Sequence, residues 1–239
     1  MSLTPTARRV LAEYLGTMIL VAAVVGSGIM ATTLTDDVGV QLLMNMLATV
    51  LVLGMLIWTL GPISGAHFNP AVTGVALARR EIPGWEGAAY IPAQITGAIT
   101  GAILANLMFD LPAVTMSTTE RTGGNLLLGE VVATAGLLWI IGALTRTGNG
   151  RLGPGLVPAW IGAAYFFTSS TSFANPAVTI GRAFTDTFAG IAPASVLAFI
   201  AAQLVGAAIG AAQTELFHPR PAGVTPEPLD LPGPVHDRT

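Results

Sequence analysis

The chain contains one five-residue segment twice, Asn-Pro-Ala-Val-Thr at residues 69–73 and again at residues 175–179. Asparagine is a favoured N-cap, and proline is favoured at the first helical position because its missing N–H has no helical partner there. Both copies therefore predict a helix start. The twelve residues 69–80 would rise about 18 Å as a helix, about half of a ~30 Å hydrocarbon core. Each copy therefore predicts a half-helix that ends within a membrane.

The surrounding sequence has the composition of a membrane protein, since 52% of its 239 residues are hydrophobic and 10% are charged. Several apolar stretches are long enough to cross a hydrocarbon core that needs ~20 helical residues. We predict six spans, at about residues 8–33, 38–60, 86–109, 125–145, 154–171 and 190–217. The predicted fold class is therefore an all-α integral membrane protein with six transmembrane helices and two re-entrant half-helices.

The two halves of the chain repeat one pattern of polar residues. Glu13 in the first span matches Glu130 in the fourth, and Gln94 in the third span matches Gln203 in the sixth. With three spans in each half, the second half enters the membrane upside down, which makes an inverted repeat. The sequence predicts a single channel domain at residues 1–217, built from repeats at about 8–109 and 125–217 with a linker at 110–124. The Pro-rich tail at 218–239 is predicted to be disordered and cytoplasmic.

The inverted repeat places the two half-helix starts near the centre of the bilayer, with their positive dipole ends directed at the same point. Irregular backbone before each start, at residues 61–68 and 169–174, is tolerated at that depth only if it is buried or lines a water-filled cavity. A polar, uncharged wall with positive dipole ends passes small neutral molecules and opposes cations. The sequence predicts a pore for small uncharged solutes.

The ten basic residues are all arginine, and their positions predict the orientation. On the side of the termini lie Arg8, Arg9, Arg79, Arg80, Arg146, Arg151, Arg220 and Arg238, and on the other side lie Arg121 and Arg182. The positive-inside rule therefore predicts a multi-pass protein of the plasma (inner) membrane with both termini cytoplasmic. The absence of cysteine excludes disulfides and thiolate metal sites. No cofactor, metal or nucleic-acid surface is predicted.

Residues 64–73, Ser-Gly-Ala-His-Phe-Asn-Pro-Ala-Val-Thr, resemble the first signature loop of the aquaporin, or major intrinsic protein, family. With the second Asn-Pro-Ala, the resemblance covers about residues 8–217. It implies one pore in each subunit of a homotetramer, embedded in the lipid bilayer. The pore motifs that it implies are Asn69, Pro70, Ala71, Asn175, Pro176 and Ala177.

The resemblance also implies a selectivity filter, and here the chain departs from the usual pattern. Family members usually carry an arginine three residues after the second asparagine, where this chain has Val178. Ungapped spacing from the two asparagines assigns the other filter positions to Thr49, Ala163 and Ser172. These side chains are small, so we expect a wide mouth, as in the broad-filter, aquaglyceroporin-like bacterial branch.

A polar helix face and one arginine leave alternatives open. Gln41, Asn45 and Thr49 share one helix face, which would face either the pore or a neighbouring helix. Arg182 would either lie in the vestibule and partly replace the missing arginine or, as we favour, pair with Asp186 at the surface.

Two acidic residues lie deep in predicted spans, and one histidine precedes the first asparagine. Glu13 and Glu130 would support the re-entrant loops, a role that the resemblance implies, in preference to relaying protons. His67 would support the first loop or sense pH, and the resemblance favours support.

The function predicted from these features is a passive channel for glycerol-like solutes and water, with arsenous acid or methylated arsenicals as further candidates. The alternatives are a strict water channel or an ion-coupled secondary transporter, since broken helices in an inverted repeat also build transporters. A transporter needs carboxylates or other ligands at the helix breaks, and the sequence has none there. An enzyme is excluded, because the acids and histidines form no catalytic constellation.

Overall fold

A computed structural model describes residues 3–220 of the chain, and these residues fold into helices joined by short loops. The α-helices of this part are α1 (Pro5–Leu34), α2 (Val38–Ser64), α3 (Pro70–Ala78), α4 (Gly84–Met108), α5 (Gly124–Arg146), α6 (Gly153–Phe167), α7 (Pro176–Gly181) and α8 (Pro193–Phe217). Two short 3₁₀ segments, Gly150–Leu152 and Arg182–Phe184, precede α6 and follow α7.

The six predicted spans correspond to α1, α2, α4, α5, α6 and α8. All except α6 are long and apolar enough to cross a membrane. Helix α6 has 15 residues and ends at Phe167, so the prediction of a span to residue 171 was too long. Thr168 is extended there, with φ −102° and ψ 144°, and it begins the second re-entrant loop. Small polar residues that looked like the end of a span are the start of that loop.

The helices pack in the same order in both halves, as the predicted inverted repeat requires. Helix α1 packs mainly on α4, and α5 packs mainly on α8. Glycines bring each pair together: a Cβ at Gly97 or Gly101 of α4 would meet backbone carbonyls of α1. Gly206 and Gly210 of α8 have the same relation to α5. Close backbone approach of this kind stabilises helix pairs in lipid, where no hydrophobic driving force acts between them.

The two half-helices begin where the sequence predicts and end earlier. In α3, the side chain of Asn69 accepts a hydrogen bond from the Ala71 N–H, and Pro70 is the first helical residue. In α7, Asn175 accepts from the N–H groups of Ala177 and Val178. Helix α3 has 9 residues, fewer than the twelve predicted at 69–80, and α7 has 6. Both are too short to cross a bilayer.

Contacts at the helix ends define two sides of the molecule. On one, the terminal side, the start of α1 lies against the start of α4 through Arg9 and Glu86, and the end of α8 contacts the ends of α3 and α5. On the other, the linker side, residues 110–124 pack on residues 182–192. There the N–H of Ser117 donates to the Ala183 carbonyl at 3.0 Å.

The predicted disordered tail is described only in its first three residues. The N–H of His218 donates to the Thr214 carbonyl at 2.8 Å, and Arg220 lies 3.6 Å from a Glu81 carboxylate oxygen. Residues 221–239 lie outside the described part of the chain.

Candidate solute pore

The two half-helix starts meet and are tied together by their asparagines. Asn69 Nδ2 donates to the Ala174 carbonyl at 2.8 Å, and Asn175 Nδ2 donates to the Phe68 carbonyl at 2.8 Å. Each asparagine therefore binds the loop that precedes the other one. Each amide has two N–H donors, so one hydrogen of each remains for a solute.

A narrow cavity of about 150 Å³ passes this meeting point. One wall is apolar and consists of side chains from the long helices, among them Leu20, Val24, Leu53, Ile57, Leu137 and Val157. The facing wall consists of residues 65–69 and 172–175 of the two re-entrant loops. A solute in this cavity would meet hydrocarbon on one side and polar backbone with asparagine amides on the other.

The loop backbones repeat the same uncommon conformation at matched positions. Ala66 and Phe68 have φ of 51° and 49°, and Ser172 and Ala174 have φ of 54° and 49°. The members of each matched pair are 106 residues apart, as are the two asparagines. The left-handed region is unfavourable by roughly 1–2 kcal/mol for an L-residue. Other contacts must therefore hold both loops in this shape.

Glu13 provides these contacts for the first loop. Its carboxylate is fully buried and accepts hydrogen bonds from the N–H groups of His67 and Phe68, at 2.9 and 2.7 Å. Ser64 Oγ and Gln94 Nε2 donate to the same carboxylate at 2.6 and 2.7 Å. Four donors surround one buried charge, and this favours loop support over proton relay.

Glu130 does the same for the second loop. It accepts from the N–H groups of Phe173 and Ala174, both at 2.9 Å, and from Gln203 Nε2 at 2.6 Å. The matched glutamates and glutamines of the repeat therefore hold matched backbone. The inverted repeat in sequence reflects one structural device used twice.

His67 both contacts its own half-helix and lines the cavity. Its Nδ1 lies 3.0 Å from Thr73 Oγ1, and its ring packs edge-on against Tyr90 at 5.6 Å between centroids. These contacts fit the loop-support interpretation, while the position of the ring leaves it accessible to a solute.

The predicted filter residues are brought together with one exception. Thr49, Ser172 and Val178 line the cavity, whereas Ala163 lies on the exposed face of α6. Tyr165, two residues further along, lines the cavity in its place. Its hydroxyl donates to Thr49 Oγ1 at 3.3 Å.

The error at Ala163 came from counting without gaps through the loop after α6. Two residues along a helix turn its face by more than half a revolution. A count that is wrong by two therefore exchanges a pore-facing position for a lipid-facing one. The signal available in the sequence was a single tyrosine with a polar group in an apolar span, since a buried tyrosine hydroxyl usually has a hydrogen-bond partner.

The polar face of α2 divides between the two roles that the sequence left open. Asn45 Nδ2 donates to the Val24 carbonyl at 2.7 Å and to Ser27 Oγ at 2.9 Å, so it ties α2 to α1. Gln41 Nε2 donates to the Thr35 carbonyl at 2.7 Å. Of the three residues on this face, only Thr49 lines the cavity.

The favoured surface pair of Arg182 with Asp186 is wrong. Asp186 accepts instead from the N–H and hydroxyl of Thr118, at 2.9 and 3.1 Å. Arg182 is 3% exposed and lines the cavity beside Val178. Its guanidinium carbon lies 3.4 Å from the centroid of the Phe173 ring. The backbone enters a 3₁₀ segment at Arg182, and the side chain is buried at the cavity.

Comparison with known proteins assigns this architecture. A family model described as Major intrinsic protein matches residues 1–174 of the chain. The chain belongs to the major intrinsic protein family. It is 52% identical over 200 residues to aquaglyceroporin AqpS of Rhizobium meliloti (strain 1021), with 84% of this chain and 85% of the relative covered. It is 32% identical to Aquaporin Z of Rhodopseudomonas palustris, with 90% and 95% covered.

A solved structure supports the same fold. The X-ray structure of the aquaglyceroporin from Plasmodium falciparum matches with a TM-score of 0.64 at 18% identity, covering 89% of this chain and 96% of that one. At that identity the likeness bears on the fold alone.

The family and the relatives indicate the function. This major intrinsic protein is a multi-pass membrane protein and a passive channel for water or small solutes, and it is not an enzyme.

Proposed function

We propose that the protein is a channel for small uncharged hydroxylated solutes: glycerol-like molecules, with water, undissociated arsenous acid and neutral methylated arsenicals as further candidates. The observation that carries the proposal is Val178, which lines the cavity at the position where an arginine is expected. A valine side chain is shorter than an arginine and leaves room for solutes larger than water.

The two unlike walls of the cavity support the same substrate class. A small polyol has C–H groups along one edge and hydroxyls along the other. The apolar wall fits the first edge, while the loop backbone and the amides of Asn69 and Asn175 offer hydrogen bonds to the second. Hydrogen bonds fixed in place of a hydration shell favour entry of a neutral hydroxylated molecule.

Tyr165 makes the proposed filter narrower than one built with Ala163. The filter that we propose consists of Thr49, Tyr165, Ser172 and Val178. The hydrogen bond from Tyr165 to Thr49 holds the ring at one side of the cavity, opposite the loop that carries Ser172. We expect it to limit the size of passing solutes, so that glycerol and arsenous acid pass and larger polyols are slowed.

We further propose that the termini are cytoplasmic in the inner membrane, because seven of the nine arginines within residues 3–220 lie on the terminal side. The homotetramer implied by the family resemblance is part of the same proposal.

Stopped-flow light scattering of proteoliposomes tests the proposed function directly. Shrink and reswell rates would be measured for water, glycerol and arsenous acid, with empty vesicles as the reference. We expect all three to exceed the empty vesicles. Water passage without glycerol passage would contradict the proposed substrate class and favour a strict water channel.

A mercury test is the matched chemical control. The chain has no cysteine, so a thiol-directed mercury reagent should leave the measured rates unchanged. Inhibition reversed by a thiol reductant would indicate a contaminating channel.

A further inference from the structure

Arg182 lines the part of the cavity beside Val178 and has no acidic partner there. Of the residues around Val178, Arg182 is charged and buried, and it forms no ion pair within residues 3–220. Asp186 is bound to Thr118, and the oxygens of Glu130 accept hydrogen bonds from loop N–H groups and Gln203. The positive charge of Arg182 is therefore uncompensated at close range.

Two contacts fix where this charge lies. The guanidinium covers the Phe173 ring, whose electron-rich face attracts a cation. Nε of Arg182 donates to the Ala189 carbonyl. The backbone N–H of Phe173 in turn donates to Glu130 at 2.9 Å, so the residue whose ring lies under the arginine is itself anchored.

The outer end of the guanidinium remains available to the cavity. An arginine has five N–H donors, and the one on Nε is used. Within the described residues the two Nη nitrogens donate no hydrogen bond, and both keep some accessible surface. Four donors and a fixed charge thus border the space that Val178 leaves open.

We infer that Arg182 is the cation barrier of this pore and a specificity-determining residue, acting one turn beyond the position of the missing filter arginine. The inference rests on the proposed function, because it explains how a filter that admits larger neutral solutes stays closed to cations. A fixed positive charge at a narrow, poorly hydrated point repels cations without obstructing neutral molecules. Val178 then sets the size of the solutes that pass, and Arg182 excludes cations.

Arg121 supplies a matched control. Its guanidinium also lies over the Phe173 ring, at 5.1 Å, but Arg121 does not line the cavity. Its Nε donates to the Gly190 carbonyl at 2.9 Å. The two arginines share an aromatic partner and differ in access to the pore.

The test measures cation leak and water flux in the same proteoliposomes, and reports their ratio. Arg182→Gln keeps a hydrogen-bond donor and removes the charge, and we expect the ratio to rise about tenfold or more. Arg182→Lys keeps a charge and should stay near the wild-type ratio, as should Arg121→Gln. An Arg182→Gln protein that conducts water with an unchanged ratio overturns the inference.

A second variant covers the case in which Arg182→Gln does not fold. Val178→Glu places a carboxylate one turn from Arg182, where it neutralises the charge and leaves the contact with Phe173 intact. We expect Val178→Glu to raise the cation-to-water ratio relative to Val178→Gln, which has the same length and no charge. Equal ratios in these two variants also overturn the inference. A wild-type protein that passes water but no glycerol contradicts only the proposed function, because the ratio of cation leak to water flux can still be compared between the variants.

Discussion

The two half-helices carry the same residues over their first turn and different residues beyond it. Val72 of α3 and Val178 of α7 both line the cavity three residues after their asparagines. At the next position, Thr73 and Thr179 accept from Gln94 and Gln203 Nε2, at 2.9 and 2.8 Å. Seven residues after the asparagines lie Ala76 in α3 and Arg182 directly after α7, and both line the cavity. The repeat builds the fold, and the position that is not repeated makes the pore asymmetric.

The terminal side also has an arginine at the cavity, but this arginine has an acidic partner. Arg79 lies 3.4 Å from a Glu215 carboxylate oxygen and donates to the Ala211 carbonyl at 2.9 Å. Arg146 pairs with the same carboxylate. The two sides of the pore therefore differ in pairing: Arg79 has a carboxylate within ion-pair distance, whereas Arg182 has none within residues 3–220.

The largest expected effect comes from removing one of the two buried carboxylates. Glu13→Gln or Glu130→Gln replaces hydrogen bonds to a charge by weaker ones and leaves an amide N–H₂ facing backbone donors. We expect a loss of stability on the order of 3 kcal/mol in each case, greater for Glu13, which has four donors against three. Thermal unfolding in detergent measures it.

The exposed Glu120 is the control for this pair, because Glu120→Gln removes a carboxylate of the linker that has no hydrogen bond within residues 3–220. A Glu13→Gln protein as stable as Glu120→Gln would show that the first loop keeps its shape without the buried charge.

An intermediate effect is expected where glycines bring the helix pairs together. Gly97→Val and Gly206→Val place side chains against the carbonyls of Tyr14 and Val131, respectively. Overpacking of this kind typically destabilises by about 1–3 kcal/mol, and the repeat predicts similar losses at both sites. Gly74→Val is the control, since a Cβ there meets nothing within 4 Å. The free energy of unfolding in detergent measures both losses. A clear difference between Gly97→Val and Gly206→Val would contradict the predicted equivalence of the two helix pairs.

The smallest expected effect in free energy concerns the filter. Val178→Arg should narrow the linker-side mouth and lower glycerol flux relative to water flux by about fivefold, equivalent to about 1 kcal/mol. Val178→Thr changes the side chain with little change in size, and serves as the reference. Stopped-flow scattering gives both fluxes, and an unchanged ratio in Val178→Arg would remove Val178 from the proposed filter.

Much of the fold could be read from the sequence because its signals are local. Asn-Pro pairs set the starts of α3 and α7, since capping depends on adjacent residues. Apolar length identified the spans, although α6 proved shorter than predicted because the small polar residues 168–171 were counted as the end of the span.

The filter was predicted less well because it combines residues from three separate segments. Tyr165 lines the cavity because of how α6 is rotated in the packed structure, and Arg182 lies over Phe173 of the preceding loop. Neither property follows from spacing along the chain. The partner of Asn45 on α1 was open for the same reason, as one helix face can meet either a neighbour or a cavity.

The membrane spans and the two half-helix starts can be read from the amino-acid sequence because hydrophobic length and helix capping depend on neighbouring residues, and the inverted repeat can be read from it because the same motifs occur in both halves. The tertiary structure alone decided that Tyr165 replaces Ala163 in the cavity wall and that Arg182 lies over Phe173 instead of pairing with Asp186. The physical reason is that a side chain in a pore is selected by the rotation of whole helices and by competing partners on distant segments, and these are fixed only when the halves pack together.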